Sequence, residues 1–260
     1  MQVALICPPA LLKRYGSLTK YHLVLPHLFQ ERRYRDFYLN RSKEGDYLIL
    51  DNGAAEGLRF GVPHLYTIAE TMGVHEIVVP DVLKDMDRTI ANALAFTRYT
   101  REGYRYQLVA QGKDIAEMVA CINYFATDPK FMYATTIGIP RHINDVDQHA
   151  RLRISEYIQE AGYDRALEFH YLGANNPFEE VKNLAAVELG RGIDTSAPIY
   201  MGRWGMILEE DGPYRPRPKD FFKINRVNVG QTEKNILTYL EWALYDRDAD
   251  LPEKTPISGM

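Results

Sequence analysis

The chain has 260 residues, is 46% hydrophobic and 25% charged, and carries a net charge of −4. That length and apolar content fit one large single-core domain over residues 1–260, a size at which α/β barrels are common. The negative balance excludes a polycation, so any nucleic-acid contact must come from a local basic patch.

Two cysteines, Cys7 and Cys121, cannot supply a four-ligand zinc site of the CxC or CxxC type, and a reducing cytoplasm suits them best. "MQVALIC" is too short and too uncharged for a signal peptide, and Pro8-Pro9 interrupts it. No apolar run approaches the roughly 20 residues of a membrane helix, so no membrane partner is expected.

Along the chain, short apolar segments alternate with longer segments of helical periodicity. The predicted strands are 3–7, 22–26, 47–51, 76–81, 106–112, 133–139, 167–173 and 190–196. The last of these, "GRGIDTS", has the weakest propensity. Helices are predicted over 28–42, 63–72, 86–102, 114–127, 145–161, 177–187 and 232–246. In "NNPFEE", Asn176 suits a cap, Pro177 the first turn, and Glu180 the positive end of the dipole. Residues 203–230, rich in Gly and Pro, read as an irregular surface loop.

Eight strands with intervening helices predict a compact (β/α)8 TIM barrel. An open doubly wound sheet would need a phosphate-binding glycine loop, and neither GxGxxG nor GxxxxGK[ST] is present. HExxH and GxSxG are absent too. In a barrel the chemistry sits where strands end. Four strands here end on Asp51, Asp81, Gln111 and Asp194, and a fifth carries His170. Each has an ordinary alternative: Asp51-Asn52-Gly53 and Gln111-Gly112 are turn sequences, Asp81 can cap, His170 can be a core residue, and Asp194-Thr195-Ser196 before Pro198 can start a short helix. As a group, carboxylates converging without cations are costly to bury, which points to function. A divalent ion held by Asp51, Asp81 and Asp194 is one alternative.

Six segments in order carry a resemblance. "ILDNGAAE" is similar to a DSGGF segment, "VVPDV" to a base-recognition aspartate segment, "LVAQGKD" to VQGG, "TTIGIPR" to IGGL, "FHYLGANNPFEEV" to YLMGVGTPEDL, and "RGIDTSAPIYMGR" to the segment bearing a nucleophilic aspartate. Over residues 45–205 the pattern resembles the tRNA-guanine transglycosylase superfamily. Within it, the pattern looks closest to the 7-deazaguanine DNA transglycosylases of bacteria and phages. Asn52 stands where the family has serine, and Ala54 and Ala55 where it has glycine and phenylalanine. One aspartate, Asp194, stands where the tRNA enzymes have two. The C-terminal zinc cluster is absent, which favours DNA over tRNA as partner.

The resemblance implies exchange of guanine for a free 7-deazaguanine base, with no cofactor. Asp194 would be the nucleophile and Asp51 the general acid/base. Asp81 and Gln111 would read the base edge, Gly112, Gly138 and Gly173 would let backbone approach it, and His170 would touch substrate or orient a carboxylate. Phosphate contacts are expected from Lys13, Arg14, Lys20, Arg141, Arg203, Arg215, Arg217 and Lys219, several of them interleaved with aromatics. A nucleoside hydrolase or N-glycosidase, a zinc-free tRNA enzyme and a non-catalytic nucleobase-binding barrel are the alternatives.

Overall fold

The structure is a computed structural model of the chain, describing residues 1–174, 178–210, 212 and 215–244. It is a (β/α)8 barrel. Eight strands follow one another: β1 (Gln2–Leu5), β2 (Tyr21–Val24), β3 (Tyr47–Leu50), β4 (Glu76–Val78), β5 (Arg105–Val109), β6 (Thr136–Pro140), β7 (Glu168–Leu172) and β8 (Gly190–Thr195). All neighbouring pairs are parallel, in the order β1-β8-β7-β6-β5-β4-β3-β2. β1 and β2 come together at the seam without a paired ladder. Each predicted strand is present; all but β6 end earlier than expected, β1, β2 and β5 begin one residue earlier, and β6 runs from Thr136 to Pro140.

The helices α1 (Leu12–Tyr15), α2 (Arg32–Lys43), α3 (Val62–Met72), α4 (Met86–Phe96), α5 (Ile115–Thr127), α6 (Ala150–Glu160), α7 (Glu179–Ala186), α8 (Ala197–Arg203) and α9 (Val229–Ala243) connect or follow them. Their starts are chemically marked. The side chains of Asp85, Asp114 and Asn228 accept from Arg88, Glu117 and Gln231 N–H at 3.0, 2.9 and 3.1 Å, each satisfying one orphan donor. The helix predicted over 86–102 ends at Phe96, and a 3-10 turn over Thr97–Tyr99 follows. There the Thr97 hydroxyl bonds the Leu94 carbonyl and the Thr100 hydroxyl the Thr97 carbonyl, competing with the helical ladder. The helix predicted from 145 begins at Ala150, because Arg141–Asp145 forms a 3-10 turn. The cap predicted at Asn176 and Pro177 lies outside the described residues.

The glycines of β8 explain how a strand of low propensity is retained. A Cβ on Gly190 would lie 2.2 Å from the Tyr171 ring, and one on Gly192 2.5 Å from the Tyr21 ring. The strand is glycine-rich because two tyrosines pack directly on its backbone. A bulge against β7 pairs Phe169 with Gly190 and His170 with Gly192. Arg191 is the extra residue, and the bulge aims it into the barrel's lower interior.

Strand side chains alternate with period two, so Tyr47, Ile49 and Asp51 share one face, as do Gln107, Val109 and Gln111. These inward rows are polar at the lower end and apolar in the middle. At the C-terminal mouth they are polar again.

Candidate functional site

A cavity of about 460 Å³ opens at the C-terminal mouth. Asp51, Asp81, Gln111, Gly173, Asp194, Arg141 and Arg217 line it, over apolar walls that include Leu23, Leu25, Val109, Pro140 and Leu172. The volume is within the range of small-molecule sites. The strand-end residues singled out in the sequence therefore share one cavity.

Asp51 follows β3 directly and is 8% exposed. Gly53, at φ +83°, turns the chain back so that its N–H donates to Asp51 Oδ2 at 3.2 Å. No cation pairs with this carboxyl among the described residues. Burial, with the Glu56 carboxylate adding to it, pushes its pKa up to about 8. At neutral pH it holds a proton that it can release.

Asp81 follows β4 and is clamped by two amides. Asn52 Nδ2 donates to Oδ1 at 2.6 Å and the Gln111 amide donates to Oδ2. Both amides are themselves fixed. Asn52 also donates to the Val79 carbonyl at 2.9 Å and accepts from Ala54 N–H at 2.8 Å, while Gln111 Oε1 accepts from Lys84 N–H at 2.9 Å. Lys84 adopts a left-handed backbone (φ 60°) to place that N–H. Burial raises the pKa of Asp81, and the two amide hydrogen bonds offset part of the rise.

Asp194 sits in β8. Its Oδ1 accepts the Gly173 N–H at 2.8 Å, and His170 Nε2 lies 3.5 Å from the same oxygen. Asp194 therefore does not cap the short helix α8; its cap position is Ser196, which makes no side-chain cap hydrogen bond, and Thr195 Oγ1 accepts the Ala197 N–H at 3.1 Å. Gly173 has φ +78°, and its carbonyl accepts from Arg151 Nη1 at 2.7 Å. Arg151 is fully buried and forms a two-pronged pair with Glu180 at 2.8 and 2.6 Å. Glu180, in the first turn of α7 as expected, is also the anchor of this chain of contacts.

Most other candidates lie outside the cavity, Arg217 at its rim excepted. Gly138 is in the barrel wall, where a Cβ would meet Gln107 Nε2 at 2.7 Å and Leu172 Cδ1 at 2.8 Å. Gly112 packs under the start of α5, 2.5 Å from Met118 N by the same measure. His170 is wholly buried one layer beneath the cavity. Lys20 precedes β2, and its carbonyl accepts the Tyr47 N–H at 2.8 Å. It therefore stands at the opposite end of the barrel from the cavity, because it precedes the strand. Arg14 pairs with Glu233 on α9 at 2.9 Å, with Lys13 exposed beside it. Arg203 pairs with Asp220 at 3.1 Å. Arg203 and Arg215 both stack on the exposed Trp204, at 5.2 and 5.3 Å. Arg217 reaches from the 203–228 segment to Glu56 at 3.3 Å and covers Phe222 at 5.4 Å. Lys219 is exposed in the same segment.

The three carboxylates do not form a metal site. Among the described residues no group of three or more His, Cys, Asp or Glu side chains could hold an ion. Cys7 and Cys121 are free and buried, and burial pushes both thiols up to about 12. No helix among the described residues is long and apolar enough to cross a membrane. No protein-family model and no curated protein sequence matches the chain.

Sequence reasoning missed Asn52 as a clamp, and missed Tyr21, Arg151, Glu56 and Arg191 altogether. Asn52 had a local signal, since Asn after a strand-end Asp can serve two backbones. Glu56 and Arg191 lie within the quoted segments of Asp51 and Asp194, whereas Tyr21 and Arg151 are brought in from distant segments.

Proposed function

We propose that this chain is a transglycosylase that exchanges guanine in DNA for a 7-deazaguanine base through a covalent sugar–aspartate intermediate. One observation carries the reading: two strand-end carboxyls line one cavity in different surroundings, Asp51 beside the Glu56 carboxylate and Asp194 facing His170. Asp51 is buried without a cation and protonated at neutral pH. Asp194 is tied on one oxygen by a backbone N–H, leaving Oδ2 for attack. A pair of carboxyls with different surroundings is what glycosidic chemistry with a covalent intermediate needs.

In the first half, Asp194 Oδ2 attacks C1′ and the C1′–N bond breaks, its electron pair going to guanine. Asp51 delivers its proton to the departing base. In the second half, the incoming base loses a proton to Asp51. Its nitrogen bonds C1′, and the C1′–O pair returns to Asp194. The clamped Asp81 keeps a second lone pair on each oxygen, suited to the N1–H and N2–H of a guanine-like edge. The fixed orientation of Gln111, one amide hydrogen committed to Asp81, leaves the other for an O6 acceptor. Arg141 and Arg217 at the mouth suit the flanking phosphates. A guanine in a duplex must be flipped or met unpaired, at about a few kcal/mol.

The test is incubation with DNA or tRNA and a mixture of 7-deazaguanine bases, followed by digestion and mass spectrometry, with Asp194→Asn in parallel. A deazaguanine deoxynucleoside from the unaltered chain alone is the expected result. Modified tRNA with unmodified DNA would move the reading to the tRNA enzymes. Free guanine without base incorporation would make the protein an N-glycosidase. No product of any kind would overturn the reading.

A further inference from the structure

Beneath the cavity a hydrogen-bonded line runs from Arg191 through Tyr21 to His170, whose far nitrogen faces Asp194. Arg191 Nε donates to the Tyr21 hydroxyl at 3.2 Å, and that hydroxyl lies 2.7 Å from His170 Nδ1. Tyr21 and His170 are buried at 2% and 0% exposure, so the protons in this line are decided by its members and not by water. Arg191 cannot accept, and it occupies one lone pair of the Tyr21 oxygen. The hydroxyl proton then has one acceptor within reach, His170 Nδ1. A histidine that accepts at Nδ1 carries its proton on Nε2. Nε2 is buried, has no hydrogen-bond partner, and faces Asp194 Oδ1 at 3.5 Å. Catalytic hydrogen bonds are often this long before substrate tightens the site.

We infer that Tyr21 and His170 are positioning residues that hold an Nε2–H on Asp194 Oδ1, making with the Gly173 N–H a two-donor cradle for that oxygen. This rests on the transglycosylase reading and deepens it. The cradle has different consequences in the two half-reactions. In the first it turns the carboxylate so that Oδ2 faces C1′. In the covalent state Oδ1 is an ester carbonyl and needs little help. In the second the C1′–Oδ2 bond breaks and its electron pair returns to Asp194, so the two donors stabilise the departing carboxylate. Loss of the dyad should therefore slow resolution of the covalent state more than its formation.

Two measurements test this on the full chain. The first is ¹⁵N NMR of histidine-labelled protein, with His170 assigned by subtraction of a His170→Asn spectrum. Protonated Nε2 with unprotonated Nδ1 is expected; the opposite tautomer, or an imidazolium at neutral pH, would overturn the arrangement. The second loads the protein with single-stranded DNA, traps the adduct in denaturing gels, and follows its decay on adding a 7-deazaguanine base. Tyr21→Phe keeps the ring that packs on Gly192 and removes only the hydroxyl. Decay of its adduct should slow by about 10- to 100-fold, the scale of one hydrogen bond to a charged group, with a smaller change in adduct formation. Equal decay in Tyr21→Phe and the unaltered chain would sink the leaving-group role. If the unaltered chain forms neither adduct nor product, the transglycosylase reading fails and the leaving-group role with it. The tautomer measurement then still decides whether the line is built as described.

Discussion

Asp46 and Asp51 bracket the same four-residue strand, β3, and both are buried, at 1% and 8% exposure. Yet their pKa values move in opposite directions. Burial works against the charge of Asp46 too, but Arg41 at 2.5 Å and His22 at 2.8 Å overcome it, and its pKa falls below the usual value. Asp51 has only backbone N–H donors, the Glu56 charge adds to its burial, and its pKa rises to about 8. The lower interior repeats the first pattern: Arg191 meets Glu76 at 2.8 Å and Glu168 at 2.5 Å. The mouth repeats the second, with Asp81 held by amides. Charge at the lower end is neutralised by cations and serves the fold. At the mouth Glu56 pairs with Arg217, but among the described residues Asp51 and Asp81 have no cationic partner, the distribution that the proposed function expects of a barrel's C-terminal face.

The comparison predicts that carboxyls at the mouth can be removed at the expense of rate and not of folding. Asp194→Asn should show the largest effect, a loss of at least about 10⁴-fold in exchange, as for other nucleophiles that act within a unit. Its Tm should stay near that of the unaltered chain, measured by calorimetry on the same preparation. A small rate loss would place the nucleophile elsewhere.

Asp51→Asn should come next, with a rate loss of about 10²- to 10⁴-fold and a gain in stability. Because the folded pKa lies above the unfolded value of 3.8, the folded chain keeps a proton that the unfolded chain loses. Stability from this site is full below about pH 4 and falls away as pH rises towards 8. The amide has no such penalty, so urea unfolding should show Asp51→Asn gaining on the unaltered chain from pH 5 to pH 8. Exchange by the unaltered chain should decline above about pH 8 as Asp51 loses the proton the first step needs. A flat difference between the two chains over that range would remove the contrast with Asp46.

At the lower end, Arg41→Met should convert Asp46 into a carboxyl resembling Asp51. The cost is about 3 kcal/mol, the low end for breaking a buried pair, since Arg41 itself reaches the surface. Here the sign is reversed. The Asp46 contribution is present above its unfolded pKa and lost as pH falls through the lower folded value. The deficit of Arg41→Met should therefore shrink as the pH is lowered below about 4, and a deficit independent of pH would assign it to packing of the arginine stem.

The fold was legible because buried parallel strands leave continuous apolar runs. Even "GRGIDTS" could be placed, by its position in the alternation and not by its residues. Asp51, Asp81, Gln111 and Asp194 were legible by the same route, since each ends or nearly ends such a run. What supports them was not. Arg151 and Glu180 are 29 residues apart, and Tyr21 and His170 are 149 apart. Nothing local marks either pair: packing of the neighbouring helices α6 and α7 joins the first, and closure of the barrel joins the second. The bulge that aims Arg191 inward is equally invisible, since a one-residue shift against β7 depends on where the Tyr171 and Tyr21 rings lie. Lys20 was misplaced by reading the first loop as if all of it lay at the mouth. Lys20 directly precedes β2, and a residue just before a barrel strand lies at the end away from the mouth.

Gly138 gives the smallest effect and separates a base contact from a wall position. By motif it would approach the base; by packing it makes room for Gln107 and Leu172 on the inner face of β6. Gln107 is wholly buried and cannot retreat to solvent, and Leu172 lines the cavity. Gly138→Ala should therefore overpack the barrel and cost about 1–3 kcal/mol in denaturant unfolding. Any rise in KM should come only through displacement of Leu172. Gly138→Ala combined with Gln107→Ala, which clears the nearer contact, should recover part of the stability. If the single variant is as stable as the unaltered chain and loses only base affinity, the glycine belongs to the site, and the boundary between the neutralised interior and the open mouth lies one layer deeper than drawn.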